Sequence, residues 1–165
     1  MVNPGNGIAP GACLSLNRAV ATSVHAARIP FYWTSLQVNV NTRAEWHCDE
    51  HNVGLSVMLV AGDFTGGEFA IGSSDTLQLK GQCVLFCGKD WHCSLPFSGK
   101  RLSVVAFTHT LCRESTEVDR AHLRALGFPL PKFLRRARVH GARTRVAART
   151  PLGCARSGTR GISCT

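Results

Sequence analysis

Residues 85–109, LFCGKDWHCSLPFSGKRLSVVAFTH, give the clearest indication of the fold class. They contain an apolar run, a predicted hairpin turn over Leu95–Gly99 and a β-branched strand over 101–109. More strand-like segments precede them, with a turn predicted over 62–67. These segments are residues 31–40, 55–60, 68–71, 76–79 and 83–86. Many short strands with closely spaced turns predict a mainly β fold, an antiparallel barrel or sandwich.

Short helices are predicted on both sides of the β region. Residues 14–28 carry apolar side chains at helical spacing. Residues 113–126 have a partial apolar face, with Ser115 as the expected N-cap and Gly127 after the last turn. The predicted organisation is an N-terminal loop and helix over 1–29, a β core over 30–112, a C-terminal helix over 113–131 and a basic, disordered tail over 132–165.

The net charge of +9 is concentrated at the C-terminal end. Residues 1–112 contain seven Lys or Arg and seven Asp or Glu, whereas residues 113–165 contain twelve and three. Such a tail could bind DNA or RNA through phosphate contacts, could be a solvated or targeting segment, or could be poorly determined coding sequence. It has no aromatic residue after Phe133, which argues against base stacking there.

No membrane partner is predicted, because the sequence lacks a run of about 18 apolar residues. The N-terminus also lacks the basic start and apolar run of a secretory signal. An intracellular location is therefore expected, the nucleus included. The eight cysteines are predicted to be free thiols of a reducing compartment, and the absence of a C-x-x-C pair argues against a structural zinc ribbon.

The pattern His47-Cys48-Asp49 is the first that indicates chemistry. On an extended strand, residues two apart face the same way, so the imidazole and the carboxylate would point to one place. His92 follows on a later strand-like segment. Two histidines and one carboxylate form the facial triad of non-haem Fe(II) oxygenases, which leaves open positions for a co-substrate and O2.

Arg101 and Ser103 form the second pattern, again two apart on one strand. A guanidinium grips a carboxylate through two parallel hydrogen bonds, and a nearby hydroxyl adds a third. Because an unpaired arginine is costly on an apolar strand, this position favours an anionic partner. The alternative is a surface or salt-bridged Arg101.

Other residues near these patterns receive structural interpretations. His51 and His109 are alternative metal ligands, but we expect them to be surface or supporting residues. Trp46 and Trp91 each precede a proposed ligand, so they should face away from it and pack in the core. Residues 66–67 are expected to serve turn geometry.

Three segments in this order resemble a known family: LQVNVNTRAEWHCDEHNVGLS (36–56), GDFTGGEF (62–69) and the opening stretch, residues 85–109. They resemble the double-stranded β-helix 2-oxoglutarate/Fe(II) dioxygenases, and look most like the branch of TET and JBP thymine and 5-methylcytosine oxygenases. The resemblance covers about residues 30–110. It implies a jelly-roll, cupin-like double-stranded β-helix with Fe(II), 2-oxoglutarate and O2 as cofactor and co-substrates.

Carried over by position, the resemblance assigns a role to each site residue. It implies iron ligands His47, Asp49 and His92, a 2-oxoglutarate anchor in Arg101 with Ser103 assisting, and a co-substrate or substrate contact from Asn39 or Asn41. The implied reaction is hydroxylation of a C–H bond, with a methylated or methyl-bearing base, flipped out of DNA or RNA, as the expected substrate. The alternatives are a protein or small-molecule hydroxylase, and a non-catalytic or partial β-barrel metal-binding module.

Overall fold

Two antiparallel sheets and flanking helices make up the fold. A computed structural model of the protein describes residues 8–72 and 75–130, which all belong to one unit, Met1–Phe133. The predicted tail over 132–165 lies outside the described residues, as do Cys154 and Cys164. In chain order the elements are α1 (Pro10–Ala26), β1 (Ser35–Val40), β2 (Leu55–Gly66), β3 (Phe69–Ile71), β4 (Asp75–Leu77), β5 (Cys83–Cys87), β6 (His92–Ser94), β7 (Phe97–Phe107), a 3₁₀ helix (Thr110–Glu114) and α2 (Glu117–Ala125).

The mainly β fold is confirmed. One sheet has four strands in the order β1-β7-β2-β5, and the other has three in the order β4-β3-β6. Apolar residues of both sheets form one buried cluster, so the sheets pack face to face, as expected of a double-stranded β-helix. This cluster consists of Met58, Val60, Phe64, Phe69, Leu79 and Phe86.

The four-stranded sheet has two faces of different character, because side chains alternate along each strand. One face packs on α1 through a second core cluster, which includes Val20, Val57 and Val104. The other face contributes Met58 and Val105 to the space between the sheets. We call these the helix side and the cavity side.

A buried asparagine ties the helix side together. Asn17 accepts a hydrogen bond from Trp33 Nε1 at 2.6 Å and donates one to the Leu126 carbonyl at 2.7 Å. The prediction of α1 is confirmed, but the helix begins at Pro10 rather than at residue 14, because proline suits the first turn of a helix. In the described part of the chain, neither α-helix has the length and apolar composition needed to span a bilayer.

The turn predicted over 62–67 is wrong in its position. Gly62–Gly66 continue β2, and the pairing with β7 runs on to Gly66 opposite Phe97. Glycine is needed inside this strand, because a Cβ on Gly62 would overlap the Lys100 carbonyl oxygen and one on Gly99 would overlap that of Asp63.

The hairpin predicted over Leu95–Gly99 is also wrong. β6 belongs to the three-stranded sheet and β7 to the four-stranded sheet, so the chain crosses between sheets after Ser94. Pro96 marks this crossing rather than a tight turn, and β7 already begins at Phe97.

The C-terminal helix begins later than predicted. Thr116, not Ser115, caps α2, because Thr116 and Asp119 exchange the side-chain and backbone hydrogen bonds of a capping box. The Ser115 hydroxyl instead donates to the Cys112 carbonyl at 2.6 Å, at the end of the 3₁₀ helix. Gly127 follows α2 with a φ of 85°, as expected after a helix.

Candidate metal centre

Two histidines from distant segments are placed side by side by their backbones. His47 N donates to the His92 carbonyl at 3.0 Å, and His92 N donates to the His47 carbonyl at 3.0 Å. Their rings lie 4.3 Å apart between centroids. Residues 47–49 do not form the regular strand that was predicted, because only this isolated bridge pairs them. His92 begins β6 and so lies on a strand, as predicted.

The Asp49 carboxylate completes the cluster. Its Oδ1 lies 3.8 Å from His47 Nε2, and its Oδ2 lies 3.7 Å from His92 Nε2. One ligand atom from each of the three residues lies within 4.8 Å of the others. This spacing leaves room for one ion between two imidazole nitrogens and a carboxylate oxygen.

The Nδ1 nitrogen of each imidazole is held by a hydrogen bond to a backbone carbonyl oxygen. His47 Nδ1 lies 2.6 Å from the Glu45 carbonyl oxygen, and His92 Nδ1 lies 2.7 Å from that of Asp90. A carbonyl can only accept, so Nδ1 carries the proton and donates in both rings. The Nε2 lone pairs therefore remain available, in the arrangement that metal-binding histidines use.

The two histidines differ in burial. His92 is 3% exposed and packs against the rings of Phe69 and Phe86 at 5.6 and 5.1 Å. This burial lowers the pKa of His92, and the neighbouring His47 adds to the shift. Burial therefore favours the neutral imidazole, which is the form that binds metals.

Two residues that support Asp49 were not predicted from the sequence. Asn52 donates its Nδ2 to Asp49 Oδ2 at 3.1 Å, and the Gly88 carbonyl accepts from Asp49 N at 2.6 Å. The sequence signal for Asn52 was its position three residues after Asp49, a spacing that is typical of a turn. In the structure, Asn52 N donates to the Asp49 carbonyl in such a turn. Nothing in the sequence pattern indicated Gly88, which is 39 positions away and comes close only in the folded chain.

A cavity of about 320 Å³ opens beside the triad between the two sheets. Its wall combines apolar side chains from both sheets with polar ones from β1, β6, β7 and the loops that carry Thr42 and Asn52. Besides the three triad residues, its lining consists of Gln37, Asn39, Thr42, Ala44, Asn52, Met58, Phe69, Phe86, Ser94, Ser103, Val105 and Phe107.

Arg101 is buried without a hydrogen-bond partner for part of its guanidinium. It is 2% exposed, and within residues 8–72 and 75–130 its Nε and Nη2 atoms have no acceptor. Its Cζ lies 5.8 and 5.5 Å from the ring centroids of Phe64 and Phe97. Burial lowers the pKa of Arg101, but a guanidinium stays protonated in proteins. The surface alternative is therefore wrong, and the described residues include no carboxylate paired with it.

Glycine makes the space that Arg101 occupies. Gly62 lies opposite Arg101 in the β2–β7 pairing. A Cβ on Gly67 would approach Arg101 Nε to 3.3 Å and Phe97 Cβ to 3.0 Å, at a φ of 72°. Gly66 and Gly67 both have positive φ, as the turn interpretation requires, and Gly67 also gives the guanidinium its room.

The structure separates the remaining predicted residues. Asn39 lines the cavity and donates Nδ2 to Ser103 Oγ at 3.3 Å, so these two lie together there. Asn41 accepts from Arg101 N at 2.8 Å and thereby holds the backbone of β7. Neither Asn41 nor Arg101 is among the residues that line the cavity, whereas Ser103, two residues further along β7, is.

The predicted packing of the two tryptophans is wrong. Trp46 is 48% exposed and Trp91 is 60% exposed. Each tryptophan directly precedes a triad histidine along the chain. No described element covers the side of the chain to which the tryptophans point, so both rings are exposed to solvent. His51 and His109 lie beside one another, 5.6 Å apart between ring centroids, and are not part of the triad cluster.

The six cysteines within the described residues are free thiols, in agreement with the prediction. Burial raises the pKa of Cys93, which follows His92 in β6. It also raises the pKa of Cys48, and the nearby Glu50 carboxylate adds to that shift. A raised pKa favours the neutral thiol at both positions, and neither cysteine belongs to the group of potential ligands formed by His47, Asp49 and His92.

No protein-family model matches the sequence, and no curated protein matches it. Among solved structures, an oxidoreductase of the 2OG-Fe(II) oxygenase family from Burkholderia pseudomallei is 21% identical, with a TM-score of 0.37, over 44% of this chain and 41% of that one. NgTET1 in complex with 5mC DNA is 19% identical, with a TM-score of 0.43, over 58% of this chain and 48% of that one. The matched region thus spans less than half the length of either solved protein.

Proposed function

We propose that this chain is an Fe(II)- and 2-oxoglutarate-dependent dioxygenase. The convergence of His47, Asp49 and His92, with ligand atoms within 4.8 Å of one another, is the observation that carries the proposal. Two imidazoles and one carboxylate suit non-haem Fe(II) and leave coordination positions open. The donor set therefore fits the metal that the sequence resemblance implies.

Arg101 fits the co-substrate. Buried guanidinium N–H groups without acceptors are costly, and a carboxylate that accepts two parallel hydrogen bonds would remove that cost. Ser103 lies two residues along the same strand, and its Oγ already accepts from Asn39, so its own proton is free to donate. We propose that Arg101 and Ser103 hold the far carboxylate of 2-oxoglutarate, with Asn39 orienting Ser103.

Bound iron would supply the oxidising chemistry, in which O2 and 2-oxoglutarate give succinate and CO2 while a substrate C–H group becomes C–OH. The residues of the chain do the rest. The carbonyls of Glu45 and Asp90 keep both histidines in the tautomer with a free Nε2. Phe69 and Phe86 form an apolar wall beside His92, which keeps water from the reacting centre.

For the substrate, we propose a methylated or methyl-bearing base of DNA or RNA. The order of the motifs supports this class, because it resembles the TET and JBP branch. Gln37 and Thr42 add hydrogen-bonding groups to the cavity wall for the edge of a flipped base. The basic residues after position 113 offer phosphate contacts.

Succinate release tests the proposal. The purified chain is incubated with Fe(II), 2-oxoglutarate and O2, alone and with DNA or RNA that contains 5-methylcytosine or thymine. We expect Fe(II)-dependent succinate that rises with the true substrate, together with an oxidised base seen by mass spectrometry. Asp49→Ala is the matched control and should release none.

Other outcomes separate the alternatives. Succinate without any oxidised base would contradict the nucleobase proposal, and a screen of peptides and small molecules would then identify the hydroxylase substrate. A folded protein that binds Fe(II) but releases no succinate would contradict the enzyme assignment and favour a non-catalytic metal-binding module.

A further inference from the structure

We propose that Asn52 is a positioning residue, which holds the Asp49 carboxylate so that Oδ1 is the oxygen offered to the metal. This role rests on the proposed metal site. Asn52 is 5% exposed, and its amide contacts the carboxylate directly. It does not need to touch the ion to set the geometry of the third ligand.

The amide makes two hydrogen bonds from one nitrogen. Nδ2 donates to Asp49 Oδ2 at 3.1 Å and to Ser56 Oγ at 3.3 Å. An NH2 group has two protons, so both are used. The bond to Oδ2 uses one of the two lone pairs of that oxygen, whereas Oδ1, 3.8 Å from His47 Nε2, takes no hydrogen bond from the amide.

The orientation of the amide follows from its neighbour. If the group were rotated by half a turn, its carbonyl oxygen would face Asp49 Oδ2, and two acceptors would repel each other. Ser56 is completely buried, so water cannot replace the Asn52 amide as the hydrogen-bond partner of the Ser56 hydroxyl. The nitrogen therefore stays directed at the carboxylate.

The backbone on both sides of Asn52 is fixed as well. Asn52 N donates to the Asp49 carbonyl at 3.2 Å, and Val53 N donates to the Thr108 carbonyl at 2.8 Å. Asn52 also forms an isolated bridge with His109, next to the end of β7. These contacts attach the loop after Asp49 to the end of β7, so the Asn52 amide occupies a defined place.

Gly88 closes the pocket around the carboxylate. A Cβ there would lie 3.0 Å from Asn52 Nδ2, 3.1 Å from Asp49 Cβ and 3.2 Å from Asp49 Oδ2. Each distance is tighter than ordinary van der Waals contact. Position 88 thus holds the smallest residue at the point where the carboxylate and the amide meet.

Partial exposure explains why such a support matters. The Asp49 side chain is 32% exposed, so water competes for its oxygens and the side chain could rotate without a fixed partner. Residues that orient metal ligands typically change metal affinity by about 10- to 100-fold when they are removed. Within residues 8–72 and 75–130, Asn52 is the side chain that hydrogen-bonds the Asp49 carboxylate, and the two triad histidines are its other side-chain neighbours.

The test measures metal binding without substrate or 2-oxoglutarate. Co(II) is titrated into wild type and Asn52→Ala, and its visible ligand-field absorption gives both affinity and coordination. We expect Asn52→Ala to bind Co(II) about 10- to 100-fold more weakly, with an altered spectrum. Asn52→Asp has nearly the same shape but no amide donor, and it should also lose affinity.

Two controls isolate the effect. Gln82→Ala, which removes an exposed amide outside the cavity lining, should keep the wild-type affinity and spectrum. Ser56→Ala keeps the amide but loosens its orientation, so it should fall between wild type and Asn52→Ala. Circular dichroism and Tm show which variants are folded.

The outcomes separate the two proposals. If wild type binds Co(II) through the triad and the folded Asn52 variants match it in affinity and spectrum, the positioning role is wrong while the metal site stands. If wild type binds Co(II) no better than His92→Ala, the metal site fails, and the role of Asn52 fails with it.

Discussion

The two faces of the four-stranded sheet come from the same strands but carry different residues. On β7, Leu102, Val104 and Ala106 face the helix side, whereas Arg101 and Ser103 face the other way. The helix side is closed by apolar packing and by the hydrogen bonds of the buried Asn17. The cavity side carries polar groups, among them a buried cation without an acceptor for two of its nitrogens.

This difference separates stability from function. Buried polar groups in proteins are almost always satisfied, so an exception calls for an explanation such as a missing ligand. On the helix side Asn17, Trp33 and the Leu126 carbonyl satisfy one another. Changes on the helix side should therefore alter stability, and changes on the cavity side should alter ligand binding.

The largest expected effect is at the triad, whose three residues line the cavity. His92→Ala removes a buried residue that we propose as an iron ligand, so it should abolish Fe(II) binding and succinate release, whereas His51→Ala should retain both. Anaerobic Fe(II) binding and succinate release measure the contrast. A His51→Ala variant that loses iron while His92→Ala keeps it would reverse the ligand assignment.

The second-largest effect is expected for Arg101→Met, on the cavity side of the sheet. Loss of two charge-assisted hydrogen bonds should weaken 2-oxoglutarate binding by about 100-fold or more, with little change in Fe(II) affinity. The same change removes unsatisfied buried N–H groups, so the ligand-free protein should become more stable by about 1–3 kcal/mol. Denaturant unfolding and 2-oxoglutarate titration measure the two effects. Unchanged 2-oxoglutarate affinity would contradict the anchor assignment.

Trp33→Phe is the matching change on the helix side. It keeps an aromatic ring but removes the 2.6 Å hydrogen bond to the buried Asn17 oxygen, which should cost about 1–3 kcal/mol of stability. Fe(II) and 2-oxoglutarate affinities should stay within error of wild type. Urea unfolding gives the free energy, and a folded variant with lost ligand binding would show that the two faces are not independent.

The smallest expected effect is at α2, whose Leu123 borders the helix-side core. Hydrogen bonds from the Thr116 backbone and side chain lower the pKa of Asp119. A lowered folded-state pKa means that the cap contributes stability above the ordinary aspartate pKa and loses it as the pH falls through the lowered one. Tm should therefore fall less steeply with acid in Asp119→Asn than in wild type, and parallel pH profiles would contradict this cap.

The sequence predicts those features that depend on local spacing. The spacing of two residues predicted that Arg101 and Ser103 share one face of a strand. The composition of the strand-like segments predicted a mainly β fold. His47 and Asp49 do converge, but through an irregular segment that a bridge to His92 holds, and not through the regular strand that was expected.

Features that depend on the pairing of distant segments were not predictable in this way. The crossing at Pro96 looks like a hairpin in the sequence, because a turn signal does not say to which sheet the next strand belongs. Trp46 and Trp91 were expected in the core, because hydrophobicity does not reveal whether another element covers a given face. Gly88 contacts Asp49 only through tertiary structure.

The most direct test of the central claim is an anaerobic titration of Fe(II) and 2-oxoglutarate into the protein. Chelation of the oxoacid to iron held by the proposed triad would give a weak visible metal-to-ligand charge-transfer band. We expect this band in wild type, and its loss in His92→Ala and, at the 2-oxoglutarate concentration that saturates wild type, in Arg101→Ala. No band from wild-type protein that is shown to be folded would contradict the assignment of the cavity as a 2-oxoglutarate and iron site.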